Sequence, residues 1–279
     1  MSRKQDINDE KRKEPAILQT NTEQQALIKQ LNVIDDVFFH KITEDKAVCE
    51  EILQIILKKP KLKVIDAQTQ RFLRNIGAHS VILDLLCEDE DGARINVEMQ
   101  KTDDDDHVKR VRFNSSNIDT TFTEKGLDYK DFPDIYVIFI SKFDMFLEGK
   151  TIYHAGIFLR ETGTIINDGI HRIFVNCAVD DGSDIAELMQ YFKNSTGKNN
   201  KFPKLSDRVS YFKESKEGAD AMTQVVEEYA NKKVLERDKE TAKLFLQNGA
   251  SVELVKKSIP TLSVEFIEKL NLQLTTVEQ

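Results

Sequence analysis

The chain has 279 residues, of which 40% are hydrophobic and 32% charged, and a net charge of −8. That balance describes a soluble globular protein with room for one large domain, or a domain and an appendage. It excludes a membrane span, which needs roughly 20 consecutive apolar residues, and the acidity argues against a general nucleic-acid coat protein.

The first residues, Met1-Ser2-Arg3-Lys4-Gln5-Asp6, are polar and lack the apolar stretch of a signal peptide. Residues 1–24 carry no period and are expected to be a disordered tail. An amphipathic pattern begins over residues 25–33. Thr43-Glu44-Asp45 can cap a helix over Lys46–Leu57, which Pro60 ends. Residues 61–77 are ambiguous, with a possible strand at Leu62 to Val64. The three cysteines, Cys49, Cys87 and Cys177, are odd in number and widely spaced. They form neither a disulfide framework nor a zinc motif, so a reducing cytoplasm is the expected compartment.

Residues 80–100 read as a hairpin. Two apolar segments, Val81 to Cys87 and Ile95 to Met99, flank an acidic turn containing Gly92. A three-residue loop, Glu90-Asp91-Gly92, with Gly92 in the left-handed region, makes the hairpin symmetric about Asp91. Asp84 and Glu98 then face each other, with Cβ atoms roughly 5 Å apart and carboxylates within about 6 Å. A two-residue Asp91-Gly92 turn would instead pair Asp84 with Met99 and leave the acids facing water. In the symmetric register Glu98 and Gln100 share the polar face with Asp84, and Met99 points away. Two like charges so placed raise each other's pKa unless a cation, most simply a hard divalent metal, neutralises them.

The run Asp103 to Asp106 reads as a solvated loop opening a helix over Asp105–Phe122, where acids suit the positive end of the dipole. Ile135–Ser141 is a buried strand. Ile152–Leu159 and Arg172–Val175 are further strands joined by a Gly-containing turn, and Asp184–Phe192 is a helix. Beyond residue 215 the pattern is helical, from Ala219 to Phe245. Two short helices follow, capped by Ser251 and Ser263 and separated by Pro260. The pair resembles a helix-turn-helix, but its polar faces carry as many acids as bases. Oligomer packing or a helical clamp is therefore the expected role. Its apolar positions exceed what two short helices bury alone.

Asp84 followed by Glu98-Met99-Gln100 on the next strand is similar to the Asp…Glu-x-Lys pattern of PD-(D/E)XK nucleases. The Glu-x-Gln variant in this context resembles one branch, the Rpn family of recombination-promoting nucleases and transposase-like proteins. Supporting segments are Asp36-Val37-Phe38-Phe39-His40-Lys41, Glu51 to Leu57, Arg110 to Ser116 and Gly126 to Tyr129 with Ile135 to Ile140. Phe113 and Asn114 stand where the family usually has tyrosines. The resemblance runs from about residue 31 to 215.

It implies an α/β restriction-endonuclease-like core over residues 25–215, a mixed central sheet flanked by helices, with a helical segment over 216–279. It also implies a Mg²⁺- or Mn²⁺-dependent endonuclease acting on DNA, linked to recombination or mobile elements. Asp84 and Glu98 are the expected metal ligands, joined by Asp36 from the first helix, with Asp35, Glu50 and Glu51 as competitors. Gln100 replaces the motif lysine and brings no positive charge. Arg110 or Arg112 could grip a phosphate. The five histidines are expected to be bystanders. A double-strand break needs two such sites, most simply in a homodimer formed through the C-terminal helices. The alternative is a non-catalytic interaction protein that keeps a nuclease fold.

Overall fold

The computed structural model describes residues 25–74, 80–103 and 106–277. The expected N-terminal tail, His79 and the middle of the aspartate run lie outside the described residues. The chain forms two compact units, divided between Ala221 and Met222. Among the described residues no helix is long and apolar enough to cross a membrane.

The larger unit is built on a six-stranded mixed sheet. After a helical stretch over residues 25–30 (α1) come α2 (Asp36–Thr43), α3 (Lys46–Ile56), β1 (Val64–Leu73), β2 (Val81–Asp89), β3 (Arg94–Gln100), α4 (His107–Phe122) and β4 (Ile135–Ser141). Then follow β5 (Ile152–Ala155), β6 (Ile157–Phe158), β7 (Ile165–Ile166), β8 (Ile170–Asn176), α5 (Asp184–Lys193) and α6 (Pro203–Glu214). The sheet order is β1-β2-β3-β4-β8-β5. The first three strands run antiparallel, β3, β4 and β8 run parallel, and β5 closes the edge antiparallel to β8. This is the expected α/β architecture with a mixed sheet and flanking helices.

Burial explains which strands sit in the middle. Every residue of β4 is buried. Its Ile135, Val137 and Phe139 pack with Val111 and Ile118 of α4, so the alternate residues Tyr136, Ile138 and Ile140 face the other side and are covered there. β1 is the surprise: ten residues long where three were expected. Only its ends, Val64 and Leu73, are buried, as suits an edge strand without a continuous apolar stripe. The single strand expected over Ile152–Leu159 is broken at Gly156 into β5 and β6, which belong to different sheets. α6 has no counterpart in the expectations. Its N-terminus is held from α3, where the Glu51 carboxylate accepts the backbone N–H groups of Lys204 at 3.2 Å and Leu205 at 2.8 Å. That answers the otherwise unsatisfied donors of a helix start.

The second unit contains the C-terminal part of α7 (Lys216–Gln247), together with α8 (Val252–Ser258) and α9 (Val264–Val277). Ser251 Oγ accepts Leu254 N–H and Ser263 Oγ accepts Phe266 N–H, so both expected caps are present. Ala242, Leu246, Val255, Ile259, Leu262 and Ile267 form one buried cluster. The end of α7 thus supplies the third wall that two short helices lack, and most of the apolar stripe is buried within the unit itself.

Candidate functional site

The hairpin has the symmetric register. Leu85 pairs with Val97, Leu86 with Asn96, Cys87 with Ile95 and Glu88 with Arg94. Asp89 N–H donates to Ala93 O across a three-residue loop, and Gly92 takes φ +83°. The next facing pair is Asp84 and Glu98. There the backbone ladder stops, and the two carboxylates take over its donors. Asp84 N–H donates to Glu98 Oε1 at 3.3 Å, and Met99 N–H donates to Asp84 Oδ2 at 2.9 Å.

The opposite side of β2 is irregular at the same level. Thr69 pairs with Leu85 and Arg71 with Leu83, leaving Gln70 opposite Asp84. Gln70 has φ +53°, a left-handed conformation that costs a non-glycine residue about 1–2 kcal/mol. Strain and a broken ladder therefore converge on one residue of β2.

Glu98 is buried. Desolvation, and then the charge of Asp84, push its carboxyl up to about 8, against the stabilising hydrogen bond from Asn96, the Asp84 N–H and the charge of Arg110. Asn96 Nδ2 donates to Glu98 Oε1 at 2.8 Å and to Leu85 O at 3.1 Å, and Asn114 Nδ2 of α4 approaches Asn96 Oδ1 at 3.5 Å. These two asparagines were missed in the sequence. The signal was present: Asn96 is two residues before Glu98 on the same strand face, and Asn114 lies one helical turn from Arg110.

His40, read as a bystander, reaches the site from α2. Its Nε2 lies 3.3 Å from Asp84 Oδ1, and Gln70 Nε2 lies 2.9 Å from the same ring atom. Asp36 stands one turn earlier, in the first turn of α2. Its competitors have structural roles. Asp35 accepts Asn32 N–H and pairs with Lys101 at 3.0 Å. Glu50 takes Lys63 and the N–H of Val64, and Glu51 caps α6. Of the two arginines, Arg110 is brought in: its Nη1 donates to Gln100 Oε1 at 2.8 Å. Arg112, two residues on, is exposed and points elsewhere on the helix.

Among the described residues, no group of three or more His, Cys, Asp or Glu side chains is arranged to hold a metal ion. The donor set at the hairpin is two carboxylates. That still suits Mg²⁺, which commonly keeps several waters and takes one or two protein carboxylates with substrate phosphate.

The family model described as PD-(D/E)XK nuclease family transposase matches residues 34–236. The chain belongs to that family. The match takes in the β2–β3 hairpin, α4 and the central strands, and continues into α7. No curated protein and no solved structure matches the chain. The acid pair therefore lies within the span that matches a nuclease family.

Proposed function

We propose that this protein is a divalent-metal-dependent endonuclease that hydrolyses DNA phosphodiester bonds. The observation that carries the reading is Glu98, buried beside Asp84 and driven toward its neutral form, inside the span that matches a nuclease family. Such a carboxyl is costly in this place unless a cation takes the site.

Asp84 and Glu98 would hold Mg²⁺ or Mn²⁺, with the Met99 carbonyl adjacent and Asp36 of α2 proposed as a further ligand. When bound, the ion lowers the pKa of a water and offsets charge on phosphorus. The attacking water would lose a proton to solvent as its oxygen bonds to phosphorus, the bond to the leaving oxygen would break, and that oxygen would take up a proton from solvent. Asn96 and Asn114 hold Glu98 in its rotamer, and His40 with Gln70 holds Asp84. Recombination or mobile-element biology and a homodimer built through the C-terminal helices extend this reading. The three buried free cysteines fit a reducing cytoplasm.

The test is supercoiled plasmid with Mg²⁺, with and without chelator, beside Asp84→Ala. Cleavage that needs the metal and disappears in the variant is expected; cleavage that persists in Asp84→Ala removes the site assignment. The alternative, an interaction protein retaining the fold, is favoured by the absence of a three-residue metal group among the described residues. Calorimetry with Mn²⁺ separates the two, because this alternative predicts no binding.

A further inference from the structure

The third motif position raises a chemical question. A lysine there supplies positive charge beside the reacting phosphate, and Gln100 supplies none. Nor is its amide directed at a water-holding task. Gln100 Nε2 donates to Thr102 O at 2.6 Å, and its Oε1 accepts from Arg110 Nη1 at 2.8 Å. Gln100 is buried, and Arg110 is half-buried.

Arg110 differs from the other cations near the hairpin. Lys101 is paired with Asp35, and Arg94 with Glu88. Among the described residues no carboxylate forms an ion pair with Arg110. Its guanidinium lies 5.9 Å from the Phe139 ring, and Phe139 is the register partner of Glu98. Among the described residues it donates a hydrogen bond to the neutral amide of Gln100 and to no carboxylate. A carboxylate at position 100 would neutralise the guanidinium, and a lysine would repel it. Glutamine holds it in place and leaves its charge intact. The guanidinium has five N–H donors in a fixed fork, and one bond to Gln100 leaves a planar edge suited to two phosphate oxygens.

We infer that Arg110 is the catalytic cation of this site, reaching from α4 to the place the motif lysine would fill from β3, with Gln100 as its positioning residue. The ligand is a non-bridging oxygen of the scissile phosphate, where negative charge grows as water adds. This rests on the nuclease reading above. It goes beyond a phosphate grip, because a grip strengthens binding equally before and during reaction, whereas this role acts on turnover.

The experiment compares wild type, Arg110→Lys, Arg110→Met, Gln100→Lys and the double variant Gln100→Lys/Arg110→Met. Plasmid cleavage with Mg²⁺ gives kcat and KM, anisotropy of a labelled duplex in chelator gives affinity, and thermal melts check folding. Arg110→Met should lose about 10²–10³-fold in kcat, the scale of removing one transition-state donor, with duplex affinity within about threefold. Arg110→Lys should retain part of the rate. The double variant should exceed Arg110→Met by about tenfold or more, because the charge returns at the motif position. A normal kcat in Arg110→Met overturns the inference, as does a loss confined to affinity or a double variant no faster than Arg110→Met. A wild type that cuts nothing refutes the nuclease reading itself, and this inference falls with it.

Discussion

Glu98→Gln should stabilise the metal-free protein at alkaline pH and leave it little changed at acid pH. The wild-type carboxyl has its ordinary value near 4.5 when unfolded and about 8 when folded. The folded state therefore holds the proton more tightly, and stability is lost as pH rises from 4.5 toward 8. Between pH 5 and pH 8.5 those two values give a loss on the order of 4 kcal/mol from this one group. Glutamine keeps an acceptor oxygen for Asn96 and the Asp84 N–H but cannot ionise. Titrations of groups remote from the pair cancel in the difference between variant and wild type, which should grow by about that amount over the window. Urea denaturation of both proteins at the two pH values, in chelator, measures it. Saturating Mg²⁺ should erase the wild type's alkaline deficit while leaving the variant unmoved. A stability difference that stays flat with pH would refute the argument, since it would mean that Glu98 ionises in the folded protein as it does in water.

Asp84→Asn should reduce Mn²⁺ affinity by at least tenfold in calorimetry with little change in melting temperature, because asparagine can still accept the Met99 N–H. Unchanged affinity would move the ligand elsewhere. Gln70→Gly should raise stability by about 1 kcal/mol in urea titrations, since glycine takes φ near +53° without the steric cost; destabilisation would show that the Gln70 amide contributes more at His40 than the backbone strain costs. Glu51→Ala should cost about 1–3 kcal/mol by leaving two N–H groups of α6 without their acceptor, and a neutral result would remove Glu51 from the cap.

The hairpin was legible because its signals are local and agree: Gly92 fixes the loop, and period-two alternation fixes the face of each acid. The caps at Ser251 and Ser263 were legible for the same reason. β1 was not, because its polar middle has no apolar stripe and its pairing with β2 is a tertiary fact. The contacts that complete the site were hidden too. His40 and Asp84 are 44 residues apart, and nothing in the α2 sequence says that His40 meets a carboxylate on β2. Arg110 and Gln100 are ten apart, but only the path of the intervening turn makes them partners. Sequence composition showed that Gln100 lacks a charge, but not that a helix could return one.

The break in the ladder at Asp84 and Glu98 also bears on how the protein is made and kept ready. The acids are already answered by Met99 N–H, His40, Asn96 and Asp84's own N–H, so the hairpin closes without waiting for an ion. The chain can leave the ribosome, fold and persist in a metal-poor state. On the proposed metal-dependent reading, activity would then be metered by the free divalent ion around it rather than by the amount of protein. An ion taken up there near neutral pH would also have to expel a proton from Glu98, which would tie the proposed activity to the acidity of the surroundings.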